Sequence, residues 1–268
     1  CQLAIKKYGN IFPPPKSFPE LPMNEDNALR PLSPYAISKV HGEHLMRGFY
    51  YSYGIRSIVS RAFNHEGAGR GPIFVTSAIT SQVMKLKLGE TDNILIGNVN
   101  AFRDWSHISD LVEGYCLLAE KGKYGDVYVQ GSMRTNSVLS YILLSLEGGG
   151  WRVDKIESMR RGKVIEKPTQ RDHSELFGVK FVKTKVDKTM LQEELEFNME
   201  DRGIWVYTDK GKIPIKFDPE RFRPVDVPIL LSDSRKIQKL GFRVSRKLED
   251  IIDDQLNYFS RVENRNLG

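Results

Sequence analysis

Segments that read as helix and segments that read as strand take turns along the first half of this chain, and that alternation constrains the fold most. Ser33-Pro34 reads as an N-cap followed by a first-turn proline, and the helix it opens runs to Tyr53, where Gly54 stops it. Ile55 to Phe63 follows, β-branched and apolar enough for a buried strand. Gly67, Gly69 and Gly71 make a loop before a helix from Phe74 to Leu88, closed by Gly89. Ile94 to Gly97 is a short strand, and Ile108 to Lys121 is a helix with apolar residues at 108, 111, 112 and 115. Gly125 to Gly131 is another strand, after which Ser137 caps a helix through Leu146. Such an order predicts an α/β fold with a parallel sheet.

The flanking regions read differently. Pro13-Pro14-Pro15, Pro19 and Pro22 make the opening loop-like, and Gly148-Gly149-Gly150 reads as a linker. Beyond it, Ile204 to Tyr207 is a β run that Asp209-Lys210-Gly211-Lys212 turns back as a hairpin. Asp233 caps a short helix ending at Gly241, and Leu248, Ile251, Ile252, Leu256 and Phe259 mark a final amphipathic helix. The first residue is not Met and no signal-peptide pattern precedes Tyr8, so a fragment or processed product is expected.

Composition narrows the partners. No apolar run approaches the roughly 20 residues that span a bilayer, so no membrane partner is expected. Cys1 and Cys116 are too few for a disulfide framework or a thiolate cage, which makes a reducing cytoplasm the expected location. The formal charge of +6 suits an anionic partner, either nucleic acid or a phosphorylated small molecule. Arg152 to Lys188 holds 11 Lys/Arg against 6 Asp/Glu. Those acids are interspersed and no nucleic-acid motif is present, so this stretch reads as a solvated mixed-charge surface and no nucleic-acid partner is expected.

Tyr35 and Lys39 stand four apart at the start of a helix, on one face. A phenol is a weak base near neutrality, and an ammonium one turn away favours the phenolate. By itself that spacing is close to a chance match. His41-Gly42-Glu43-His44 places two histidines three apart, but no third ligand group accompanies them and no metal is expected.

Five blocks in order carry a resemblance: Leu32-Ser33-Pro34-Tyr35-Ala36-Ile37-Ser38-Lys39, Arg61 to Gly71, Phe102 to Tyr115, Gly125 to Ser132, and Arg223-Pro224-Val225-Asp226-Val227. They resemble the extended short-chain dehydrogenase/reductases, the NAD-dependent epimerase/dehydratase family of nucleotide-sugar enzymes. The Phe-Asn-His-Glu and Arg-Asp-Trp forms look most like its GDP-mannose 4,6-dehydratase branch, with the GDP-4-keto-6-deoxymannose reductases close behind. The resemblance implies a partial Rossmann-like doubly wound parallel sheet, its first strands missing, with a smaller C-terminal α/β substrate domain. Residues 1–147 would be the latter part of the NAD(P)-binding domain, with an excursion into the substrate domain near 66–100, and residues 148–268 mainly the substrate-binding region.

It also implies roles. Tyr35 and Lys39 would be catalytic and, with His65 and Arg70, would contact NADP or NAD. Asn64, Phe74, Val75, Arg103, Arg223 and Asp226 would hold a GDP-mannose-like nucleotide sugar, and pairing as a homodimer is implied. From the residues alone, His65 reads rather as a loop histidine with a local hydrogen bond and Arg103-Asp104 as a local ion pair, and a structural turn is an alternative for Arg223 and Asp226.

Three departures stand out against the family. No Gly-x-x-Gly-x-x-Gly turn for the cofactor pyrophosphate is present. If Tyr8-Gly9 matches the family's Tyr-Gly pair, Ala4 and Lys6 occupy the places of a Ser/Thr and a dehydrating Glu. After Phe74-Val75-Thr76 the family continues Arg-Lys, where this chain has Ser77-Ala78. A dehydratase is therefore expected, with a keto-sugar reductase or epimerase and an inactive binding module as the alternatives.

Overall fold

A computed structural model describes residues 20–222 and 227–265. Ala4, Lys6, Tyr8, Arg223 and Asp226 lie outside the described residues. The first half comprises α1 (Pro34–Tyr53), β1 (Val59–Ala62), β2 (Asn64–Glu66), α2 (Val75–Lys87), β3 (Ile94–Ile96), β4 (Phe102–Arg103), β5 (Trp105–His107), α3 (Ile108–Lys121), β6 (Val127–Gln130), β7 (Asn136–Ser137) and α4 (Val138–Gly148). The second half adds β8 (Val153–Ser158), β9 (Val164–Glu166), β10 (Arg171–Asp172), β11 (Glu175–Leu176), β12 (Val179–Lys180), β13 (Lys183–Thr184) and α5 (Lys185–Leu191). It ends with β14 (Gly203–Thr208), β15 (Gly211–Phe217), α6 (Arg235–Gln238), α7 (Leu248–Ser260) and α8 (Val262–Arg265).

Local chemistry sets these limits. The Ser33 hydroxyl accepts from the Ala36 N–H, and Pro34 sits where its missing N–H costs nothing. Gly54 closes α1 in the left-handed region at φ 70°, with its N–H turned back to carbonyls of the last turn. Ser137 caps α4 by accepting from Ser140 N, and β14 and β15 form the expected hairpin, with Thr208 opposite Gly211.

Parallel pairing appears where the alternation called for it. β1 runs parallel to β6, from Val59 opposite Val127 to Ala62 opposite Gln130, and β2 runs parallel to β5, Asn64 opposite Trp105. The largest sheet lies elsewhere, in the order β3-β15-β14-β8-β9, with only the β15–β3 pair parallel. A layer of α2, α4 and α7 meets its inner face: Ile79, Val83, Leu139, Ile142, Leu143, Ile251 and Ile252 share one core with Ile156, Ile204, Val206 and Ile215. That core runs from Leu21 to Phe259, and the glycine triplet after Leu146 forms the end of α4 and a short turn into β8.

Two expectations are corrected. The strand read as Ile55–Phe63 pairs only over Val59–Ala62, and Asn64-His65-Glu66 is itself a strand rather than a loop. The α3 stripe is rotated: Asp110, Leu111, Gly114 and Leu118 are buried, while Ile108, Val112 and Tyr115 face outward. Gly114 explains the shift, because a Cβ there would meet Gln130 Oε1 at 2.5 Å, so the contact face is marked by a missing side chain. The basic stretch is indeed ion-paired surface, with Arg152–Asp154, Lys155–Glu157 and Lys188–Asp172 as examples. No helix among the described residues is long and apolar enough to cross a membrane.

Candidate active site

Strand β2 and the loop after it supply most of the expected site. Asn64 begins the strand, and a cavity of about 430 Å³ opens beside it, lined by Asn64, Glu66, Phe74, Val75, Arg103 and Trp105, with Glu220 to Phe222 at one side. Four residues expected to hold a substrate, Asn64, Phe74, Val75 and Arg103, thus meet at one place although they are spread over forty positions of sequence. The Arg103 Nη1 donates to the carbonyls of Phe102 and Val227, at 2.8 and 2.5 Å, which ties the cavity wall to the last residue of the fifth block. Asp104 points the other way.

That aspartate is fully buried and joins three segments. Its Oδ1 accepts from the N–H and hydroxyl of Ser132, at 2.8 and 2.6 Å, and its Oδ2 from the N–H and hydroxyl of Ser232. Burial pushes the carboxyl up from its ordinary range, and these hydrogen bonds oppose the rise. Gly131 must be glycine for this knot to close, since a Cβ would sit 2.3 Å from the Ser232 hydroxyl. Arg103 and Asp104 therefore each tie separate segments of the scaffold together, where a reading of two neighbours suggests a local ion pair.

Neither His65 nor Arg70 lines this cavity: His65 follows Asn64 on β2, and Arg70 lines a neighbouring one with Gly69, Gly71 and Pro72. His65 Nδ1 lies 3.0 Å from the Phe63 carbonyl, which leaves Nε2 for other partners. Arg70 stacks its guanidinium 3.5 Å from the centre of the Phe74 ring, and its Nε is 3.2 Å from Glu66 Oε2. Glu66, which sequence reasoning passed over, is only 3% exposed and accepts from the Thr76 hydroxyl at 2.7 Å. Burial raises its pKa from 4.5, with Thr76 and then Arg70 acting in the opposite direction.

Tyr35 and Lys39 sit apart from this cavity and do not line it. They share the outward face of α1, Lys39 Nζ 5.4 Å from the centre of the Tyr35 ring, and Tyr35 is 72% exposed. Helix α1 is held by charge more than by apolar burial. Glu43 is its one buried residue and grips Arg61 on β1 through two hydrogen bonds of 2.8 and 2.7 Å. Arg61 also donates to the Glu25 carbonyl, and the Glu25 carboxylate accepts from Val129 N of β6. Glu43 of the His41–His44 group is thus committed to an arginine.

The cavity's donor set can hold an anionic, hydroxyl-rich ligand: a guanidinium at Arg103, an amide at Asn64, and an apolar wall at Phe74, Val75 and Trp105.

Comparison with known proteins places this arrangement. The fold is that of Rossmann-type short-chain epimerases and dehydratases. RMD from Pseudomonas aeruginosa, complexed with NADPH, matches with a TM-score of 0.61 at 18% identity, over 89% of this chain and 60% of that one. UDP-glucose 4-epimerase from Bifidobacterium longum, in complex with NAD+ and UDP, matches with a TM-score of 0.58 at 19% identity, over 92% and 60%. The sequence model of the GDP-mannose 4,6 dehydratase family matches residues 15–192, and the chain belongs to that family. GDP-mannose 4,6-dehydratase of Sinorhizobium fredii is 29% identical over 87% of this chain and 54% of its own length. The Dictyostelium discoideum GDP-mannose 4,6 dehydratase is 28% identical over 82% and 50%. The chain spans about half the length of these curated relatives.

Proposed function

We propose that this chain carries the catalytic helix and the sugar-nucleotide cavity of a nucleotide-sugar 4,6-dehydratase acting on GDP-mannose or a close analogue, with NADP or NAD. The observation that carries the reading is the meeting of Asn64, Phe74, Val75 and Arg103 in one cavity. The residues present fit a dinucleotide: a phenol and an ammonium paired on α1 suit ribose hydroxyls, and Arg70, already oriented, suits a phosphate.

When bound, the dinucleotide supplies a hydride acceptor that later returns the hydride to the sugar. In this reading Tyr35, as phenolate, takes the proton of the C4 hydroxyl, and Lys39 favours that phenolate while binding ribose. Arg103 holds the diphosphate, Asn64 orients it by hydrogen bonding, and Phe74 and Val75 exclude water from one wall. His65 contacts the dinucleotide, while Arg223 and Asp226 grip the nucleotide end. Water is lost across C5 and C6, giving the 4-keto-6-deoxy sugar.

Lys6 favours a second reading. At the place of the dehydrating Glu a charged ammonium cannot act as the acid-base group, whereas a keto-sugar reductase or epimerase needs only Tyr35 and Lys39. We place the protein in a reducing cytoplasm, a setting that suits its exposed Cys116 thiol, and propose no nucleic-acid or membrane partner.

One assay separates these readings. Incubated with GDP-mannose and NADP, the chain is expected to release a product lighter by one water with no net change in NADPH absorbance. Stoichiometric NADPH consumption on a 4-keto sugar would instead identify a reductase, and no turnover with no cofactor binding an inert module. Tyr35→Phe should lower turnover roughly a hundredfold or more while leaving the fold intact, because Tyr35 is exposed.

A further inference from the structure

The loop that carries Arg70 is not held by its own backbone alone. Glu66 ends strand β2 with its carboxylate turned inward beneath α2. Thr76, on the first turn of α2, donates its hydroxyl to Glu66 Oε2, and the Gln255 amide of α7 lies 3.3 Å behind the Thr76 hydroxyl. Gln255 is itself fixed by the Tyr141 hydroxyl at 2.9 Å and by the Gly67 carbonyl at 3.4 Å. Two helices and the glycine loop therefore brace one carboxylate. A negative charge at the N-terminus of α2 is also favourable in the field of the helix.

That braced oxygen is the one Arg70 meets. The guanidinium stacks on the Phe74 ring, 3.5 Å from its centre, which sets its plane. Its Nε lies 3.2 Å from Glu66 Oε2 as a charge contact rather than a hydrogen bond, which holds the cation against that ring. A buried, braced carboxylate presents its charge at one place, whereas the value of a surface pair is lost to side-chain entropy. Phe74 lines the cavity on its other side, together with Glu66.

We propose that Glu66 is a positioning residue that fixes Arg70 against Phe74, so that dinucleotide binding at Arg70 and the shape of the sugar-nucleotide cavity are set by one buried carboxylate. This rests on the proposed role of Arg70 in holding a dinucleotide phosphate. Glu66 also borders the cavity, but the role proposed for it is exerted through Arg70.

The test uses the full chain with NADPH as probe and the side-chain Nε–H resonance of Arg70 as an independent readout. In wild-type protein that resonance should be observable and slow to exchange, because the Arg70 Nε is shielded from solvent while the ion pair holds it in place. Glu66→Gln, which keeps the shape and an acceptor for Thr76, should broaden or lose it and raise the NADPH dissociation constant about tenfold. Arg70→Lys, at a half-exposed position, should match that loss of affinity and serves if Glu66→Gln does not fold. Equal NADPH affinity in wild type, Glu66→Gln and Arg70→Lys would overturn the proposal. If wild type binds no NADPH, the cofactor reading fails and the resonance decides alone: its persistence in Glu66→Gln would overturn the positioning role.

Discussion

Asp104 shows how much of the site depends on one side chain. Its two oxygens each accept a backbone N–H, from Ser132 and from Ser232, so neither oxygen can be exchanged for a donor without leaving an N–H facing an N–H. Asp104→Asn should therefore destabilise the protein by roughly 3 kcal/mol, which for a chain of this size is a drop of about 6–12 °C in Tm by calorimetry. A shift near zero would mean that the serine knot contributes little. Glu66 teaches the complementary lesson about what sequence carries. Its signal is faint: an acidic residue in a polar run that reads as loop, with a threonine ten positions later. Only the pairing of β2 with β5 turns its side chain into the interior, and that long-range register is not written locally.

At the scale of elements, α1 is the exception. Its caps and length are legible in Ser33-Pro34 and Gly54, whereas its attachment is not, because the contact that matters is the Glu43–Arg61 pair, eighteen residues apart. Arg61 holds the Glu43 carboxyl below its ordinary 4.5. A depressed carboxylate contributes stability that is full above about pH 4.5 and is lost as pH falls through the folded value. Wild-type α1 should accordingly lose amide protection below pH 4.5, before the core does. Glu43→Gln should show that weaker protection already at pH 7, by about tenfold faster exchange over Pro34–Tyr53 in hydrogen-exchange mass spectrometry. Unchanged exchange in the variant would place the anchor elsewhere. Helix α3 failed in phase rather than in existence: a pattern search credits Ile108, Val112 and Tyr115, but the buried face includes Gly114 and Asp110.

At the scale of the molecule, the alternation of the first half correctly announced parallel pairing, and the resemblance supplied the cavity residues that no spacing rule would have found. The five-stranded mixed sheet was hidden, since β3 and β15 are more than a hundred residues apart and pair over only three residues. The exposed apolar side chains of α1, Ile37, Leu45, Met46, Tyr51 and Tyr53 among them, suit burial against a second copy. Sedimentation equilibrium should return a dimer, and Leu45→Glu should shift it to monomer at micromolar concentration. A wild-type monomer would contradict the homodimer that the resemblance implies.

If Asn64, Phe74, Val75 and Arg103 form a sugar-nucleotide cavity, calorimetric titration with GDP-mannose will register it. Saturable one-to-one binding is predicted, with affinity about tenfold weaker in Arg103→Met because a guanidinium–diphosphate contact is lost. Absence of saturable heat, or equal binding by wild type and Arg103→Met, would contradict the account.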